Sequence, residues 1–205
     1  MKYIALDLGN VVCNVNFDPF IKSLSKTLNV YVEDINYFLN RSQKLHDLGL
    51  TVIADELKDH FKIKSPVIIE ELALEWQKTV KGNPVMISII KELINNKINI
   101  ALLSNIGIDH SSIMRNILTA DIYDNSIKFF SCEVGARKPS KLYYKTFIDM
   151  YPEFRCCAYL DDRIENVNAG KSFGFNAQHF VLDSLGSEKE IANKFNEIKL
   201  LCDIY

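Results

Sequence analysis

Two hydrophobic rhythms divide the chain. Short strand-like runs occur at Tyr3–Leu6, Ile98–Leu103, Ile127–Phe130, Cys156–Leu160 and Phe175–Leu182, and the first of them shows no polar alternation. Such a run predicts the central strand of a parallel sheet covered on both faces. Between them, apolar residues recur at helical spacing, as at Ile87, Ile90 and Ile94, or across Ser140–Met150 and Ser187–Leu200. Asn83-Pro84 supplies a cap and a proline for the first turn of one of these helices.

One stretch breaks the alternation. From Asn16 to about Gly82 no strand is evident, and four helix-period segments follow one another. The first starts at Asp18-Pro19 and places Phe20, Leu24 and Leu28 on one face. The others are predicted at Asp34–Asn40, Thr51–Phe61 and Pro66–Val80, the last with Trp76 in its core. His46-Asp47-Leu48-Gly49 falls at a bend between helices. The expected architecture is therefore α/β, a three-layer parallel-sheet core (1–15 and 83–205) carrying an inserted α-helical cap (16–82).

Composition narrows the class. With 205 residues, 48% hydrophobic and 24% charged, the chain can bury a core of one domain plus an insertion. A net charge of -2 with scattered basic residues gives no electrostatic footprint for nucleic acid. No apolar run approaches membrane-spanning length, and Met1-Lys2 leads straight into the first strand, so a cytoplasmic protein, monomer or homodimer, is expected. Cys13, Cys132, Cys156, Cys157 and Cys202 are odd in number and lack metal-ligand spacing, which predicts reduced thiols, four of them packed in or beside strands.

Candidate chemistry gathers where strands stop. Asp7 ends the first strand and is followed by Gly9-Asn10, residues that permit a sharp, positive-φ turn. Ser104-Asn105 ends the second, where a hydroxyl and backbone N–H groups can hold an anion. Lys138 precedes a helix-starting Pro139 that aims its ammonium, whereas Arg137 is expected to face outward. Asp161-Asp162 ends the fourth strand. Two unit charges ~4 Å apart repel by about 4 kcal/mol at an effective dielectric of ~20, which a divalent cation relieves. Asn166 can orient this pair from the next helix. His110 is expected on a helix surface, His179 in strand packing, and His60 in solvent or packed.

A parallel sheet collects these groups on one edge, and together they suit phosphoryl transfer to the protein and then to water. In order and separation they resemble the four motifs of the haloacid dehalogenase superfamily of aspartate-nucleophile hydrolases, over nearly the whole chain. The resemblance implies a Rossmann-like core and Mg²⁺ as cofactor. It makes Asp7 the nucleophile that forms an aspartyl-phosphate, with Lys138 neutralising charge and Ser104 and Asn105 holding the phosphate. Asp7, the main-chain oxygen of Gly9 and Asp162 would bind the metal, supported by Asp161. Asp7-Leu8-Gly9-Asn10-Val11 looks most like the bacterial sugar-phosphate phosphatase-like branch, and a small phosphorylated metabolite is the implied partner.

Gly9 departs from the pattern. Most phosphatases of the superfamily place a second Asp there as general acid and base, a role worth roughly 10²–10⁴-fold. Its loss argues against a phosphomutase and favours leaving groups that depart with little protonation. His46 on the cap could substitute, or be a solvated loop histidine. A Mg²⁺-dependent phosphomonoesterase is expected first. A phosphate-ligand or protein-binding relative without turnover is the alternative that Gly9 supports, and a 2-haloacid dehalogenase is the one that Asp161-Asp162 opposes.

Overall fold

The computed structural model describes residues 2–182, 185 and 187–201. Cys202 lies outside the described residues. Strand β1 (Lys2–Leu6) and a short β2 (Cys13–Val15) lead into helices α1 (Asp18–Leu28), α2 (Val32–Asp47), α3 (Ile53–Phe61) and α4 (Pro66–Gln77). The chain returns through β3 (Val80–Gly82) to α5 (Pro84–Asn95), β4 (Ile98–Ser104) and three short helices, α6 (Ile108–Ser111), α7 (Met114–Leu118) and α8 (Ala120–Asp124). Then follow β5 (Ser126–Phe130), α9 (Ser131–Val134), α10 (Lys141–Met150), β6 (Ala158–Asp161), α11 (Ile164–Ser172), β7 (Asn176–His179) and α12 (Glu188–Leu201).

Five strands pair in the order β5-β4-β1-β6-β7, every ladder parallel. The side-chain period of two sorts each strand between two cores. Ile4 and Leu6 of β1, with Ile100 and Leu102 of β4, join α5, α7, α8 and α12 on one face. Ala5, Ala101 and Leu103 face the aromatic cluster of Tyr143, Tyr144 and Phe147 from α10, with Tyr159 and Val167. β1 is central because both its faces are apolar. After β1 the chain moves to one side of it through β4 and β5, then crosses to β6 and β7 on the other. That reversal opens a crevice beyond the carboxyl ends of the central strands.

The four inserted helices have their own core of Phe20, Leu24, Ile35, Phe38, Leu57, Leu72 and Trp76. Each side chain fully buried there contributes about 1.5–3 kcal/mol, so the amphipathic faces suffice to assemble the unit. Several sequence expectations change here. α2 does not stop at Asn40 but runs to Asp47, since no glycine or proline interrupts it before Gly49, so His46 and Asp47 belong to its last turn. α4 ends at Gln77, and Val80–Gly82 forms a strand antiparallel to β2, with Cys13 opposite Gly82 and Val15 opposite Val80. β6 begins at Ala158, because Cys156 takes φ +67° and is exposed rather than packed. Pro139 stands before α10 rather than inside it, and Ser140 caps that helix by accepting from the Tyr143 N–H. No helix among the described residues is long and apolar enough to cross a membrane.

Gly170 of α11 sits so close to β6 that an added Cβ would meet the Tyr159 ring at 2.7 Å. Gly170→Ala is expected to destabilise the protein by about 1–3 kcal/mol through overpacking, read as a lower urea midpoint with an unchanged m-value.

Candidate active site

The crevice is organised by a buried cation. Lys138 has its Nζ 2.9 Å from Asp7 Oδ1 and 2.7 Å from Asp161 Oδ2, and it donates to the Leu103 carbonyl at 2.6 Å. All three groups stand at carboxyl ends of neighbouring strands. Asp7 directly follows β1, and its N–H donates to the Leu160 carbonyl of β6. In that register Asp161 arrives beside it.

Each charged group is held by a separate device. Asn105 donates its Nδ2 to the Lys138 carbonyl (2.9 Å), and its Oδ1 accepts from the Lys138 N–H (2.8 Å). The amide thus clamps the lysine's main chain. Asp161 accepts from Lys138 and the Tyr159 hydroxyl on Oδ2, and from the Arg163 N–H and Asn166 Nδ2 on Oδ1 (2.9 Å each). Both its oxygens are engaged. Asp162 is tied less completely. Its Oδ2 accepts from Asn10 Nδ2 at 3.2 Å, and its carbonyl accepts from His179 Nε2 at 2.8 Å. The positive φ of the turn falls on Asn10 (+53°), which lets its side chain reach both Asp162 and the Val15 N–H.

The electrostatics follow from burial. Desolvation pushes the Asp7 carboxyl up to about 7, and Lys138 only partly opposes this because Asp161 and Asp162 crowd the site with like charge. Burial also raises Asp162, with Asn10 opposing. At Asp161 burial raises too, but the ammonium and the other donors prevail and hold it below the usual range. Burial would discharge Lys138, yet Asp7 and Asp161 raise it above its ordinary value.

One oxygen from each of Asp7, Asp161 and Asp162 lies within 4.8 Å of the others. Hard oxygen donors carrying more negative charge than one ammonium balances fit a divalent cation such as Mg²⁺. Asp7 and Asp162 are the better placed ligands, since Asp161 already has both oxygens in hydrogen bonds.

A cavity of about 340 Å³ between cap and core opens beside this cluster, touching Leu8, Gly9, Ser104 and Asn105 on the core side. His46 and Asp47 also line it, but not as loop residues. His46 Nε2 lies 2.8 Å from Asp109 Oδ2, and its ring rests on Gly107, where a Cβ would come within 2.2 Å. Its imidazole is fixed rather than solvated. Arg137 turns inward, contrary to expectation, and its Nη2 lies 2.8 Å from Asp47 Oδ2 with the N–H off the bond axis. The Ser131 hydroxyl donates to the Asp47 carbonyl at 2.5 Å and accepts from the Ile106 N–H. Gly49 packs on Cys132, at φ +69° with room only for hydrogen. Cap and core are thus buttoned together at the end of α2.

Of the remaining histidines, His110 and His179 differ from expectation while His60 does not. His110 is buried, with Nε2 3.0 Å from the Trp76 carbonyl and 3.1 Å from Thr79 Oγ1. His179 is exposed at the end of β7, and His60 is exposed beside Phe38 and Phe61. Tyr159, Asn10 and His179 bond to the site's carboxylate residues, a role their sequence positions alone do not assign them. Tyr159 was open to inference, since it lies two residues before Asp161 on the same strand face. Asn10 and His179 act across 152 and 17 residues, separations that only the sheet order reveals.

No family model matches the chain, and no curated protein matches it. Solved structures do. A HAD (haloacid dehalogenase) family enzyme from Bacteroides thetaiotaomicron, in a magnesium complex, superposes with a TM-score of 0.75 at 15% identity, covering 89% of this chain and 94% of that one. Its complex with magnesium and inorganic phosphate gives 0.72 at 17% identity, over 87% and 93%. A protein from Porphyromonas gingivalis described as a predicted HAD-like family hydrolase gives 0.73 at 18% identity, over 96% and 98%. L-2-haloacid dehalogenase from Xanthobacter autotrophicus gives 0.61 at 14% identity, over 98% and 88%. The fold is therefore the HAD-like α/β fold.

Two outcomes test these energetics. Lys138→Met leaves Asp7 and Asp161 facing each other without their cation, and is expected to cost about 3–5 kcal/mol at neutral pH in metal-free urea unfolding, part of it recovered in Asp7→Asn/Lys138→Met. His110 is held neutral, burial lowering its pKa from 6.5 to about 4. Between those values the unfolded chain binds more protons, so stability falls as pH falls. From pH 7 to pH 5 the wild type should lose about 2 kcal/mol more than His110→Asn in urea titrations.

Proposed function

We propose that this chain is a member of the haloacid dehalogenase superfamily and a Mg²⁺-dependent phosphomonoesterase acting on a small phosphorylated metabolite. The observation that carries the reading is the Lys138 ammonium shared by Asp7 and Asp161, with the Asp162 carboxylate within 4.8 Å, beside a cavity that reaches Gly9 and Ser104. Asp7 attacks phosphorus in line with the departing oxygen and becomes an aspartyl-phosphate. Water then attacks that intermediate and restores the carboxylate. Lys138 offsets the charge of nucleophile and phosphate, and Ser104 provides a hydroxyl at the edge of the cavity. Asn105 clamps the Lys138 main chain with its amide and, lining the cavity beside Ser104, keeps a second Nδ2 hydrogen for a phosphate oxygen. Mg²⁺ held by Asp7, the Gly9 carbonyl and Asp162, with Asp161 behind them, would orient the phosphate and neutralise its oxygens.

His46 lines the cavity with its Nε2 held by Asp109, so only its Nδ1 is left to serve as the missing general acid. Without a carboxylate at position 9, the reaction favours a leaving group that needs little protonation. The dehalogenase reading finds support in the L-2-haloacid dehalogenase likeness, but displacement at carbon has no use for a third carboxylate beside the nucleophile.

Para-nitrophenyl phosphate should be hydrolysed with Mg²⁺, lose turnover on chelation, and lose roughly three orders of magnitude or more in kcat in Asp7→Asn. Lack of turnover by folded, Mg²⁺-supplied wild type would return the chain to the binding-protein alternative. A Cβ at Gly9 would meet only Val15 Cγ2, at 3.6 Å. Gly9→Asp should therefore fold and speed hydrolysis of alkyl phosphates roughly tenfold or more, with less effect on para-nitrophenyl phosphate.

A further inference from the structure

The cavity between cap and core has a composition that the phosphoryl-transfer site does not require. Its walls are largely apolar, formed by Phe17, Ile21, Leu39, Trp76, Ile106 and Met114. Phe17 and Trp76 stack with centroids 5.3 Å apart and planes 23° from parallel. The polar side chains it adds are mostly neutral. Asn36, Asn40 and Gln43 recur along one face of α2 with Leu39, His46 and Asp47, so a single helical stripe sets the character of that wall. Trp76 brings an indole N–H that is buried without an acceptor among the described residues.

Charge is the deciding feature. Among the described residues no lysine or arginine lines the cavity. The cations nearby are committed: Lys138 to Asp7 and Asp161, and Arg137 to Asp47. His46 faces Asp109, and His110 is held neutral by burial. Asp47 on the wall is already paired with Arg137. A second phosphate or a carboxylate entering this space would lose hydration and find no free cation, whereas an uncharged body would be welcomed by the apolar wall and the amides.

We infer that the substrate is a monophosphate whose body carries no charge beyond the phosphate itself, with an apolar, preferably aromatic face to lie against Phe17 and Trp76 and hydroxyl or carbonyl groups to meet the α2 amides. This rests on the phosphatase reading and names its substrate class. Bisphosphates and phosphorylated carboxylic acids are excluded. The class also suits the absence of a carboxylate at position 9, because aryl alcohols depart without full protonation.

The test uses binding, so that it stands apart from turnover. Calorimetry with Mg²⁺ compares benzylphosphonate with para-carboxybenzylphosphonate, which differ by one carboxylate remote from the phosphonate. The neutral-bodied ligand should bind at least tenfold more tightly, and Gln43→Lys, which supplies a cation at the cavity rim, should reduce that preference fivefold or more. Equal affinities in the wild type overturn the inference, even where para-nitrophenyl phosphate is hydrolysed. A tenfold preference without hydrolysis of para-nitrophenyl phosphate overturns only the phosphatase reading. Binding of neither phosphonate, with no hydrolysis, overturns both.

Discussion

A lysine with almost no contact with water sits between two carboxylates at the end of three parallel strands, and the rest of the molecule serves to keep it there. Removing an ammonium from water is costly unless opposite charges and acceptors replace its hydration. Asp7, Asp161 and the Leu103 carbonyl supply that replacement from β1, β6 and β4. The sheet order is therefore an electrostatic requirement as much as a packing one. Any topology separating β1 from β6 would leave one of these charges alone in the crevice.

The supporting bonds divide the two aspartates that the sequence presents as a pair. Asp161, with four donors, is a fixed strut that faces the lysine. Asp162, with one amide donor on its carboxylate, keeps capacity for another cation. Their burial differs accordingly, Asp161 being fully enclosed and Asp162 only partly so. Adjacent identical residues thus acquire different tasks from the strand pleat, which sends one side chain toward Lys138 and the next toward the mouth. The cap contributes at the opposite rim, where Ser131, Arg137 and Gly49 bind the end of α2 to the core and hold Asp47 and His46 against the cavity.

Much of this could be read from the chain alone. Strand-like runs ending in Asp7, Ser104 and Asp161, with helical segments between them, point to a parallel sheet with chemistry at its carboxyl edge. The inserted helices were likewise visible through Phe20, Leu24 and Leu28. What sequence could not convey was partnership at long range. Asn105 carries the side chain of a phosphate-gripping residue, but its spacing to Lys138 gives no hint that the two would exchange hydrogen bonds across 33 residues. Arg137 and His110 were assigned to the surface by residue type, and His46 was left between a substitute acid and a solvated loop histidine. Burial of a charged or polar side chain depends on what arrives from elsewhere in the fold, here Asp47, Trp76 and Asp109, and no local pattern encodes those arrivals.

The short β2–β3 ladder has a consequence of its own. It ties the outgoing and returning chain together before and after the helices, with Asn16 donating to Thr79 and Asn83 donating to Val12. Neighbouring strands lie about 5 Å apart, so the whole insertion leaves and rejoins the sheet domain through one narrow neck. Lengthening a loop whose ends are already closed adds little entropic penalty. The neck thus makes the helical unit exchangeable: the surroundings of Lys138 and its carboxylates stay constant while helices of another sequence, spliced between Val15 and Val80, would line the cavity with a different set of side chains.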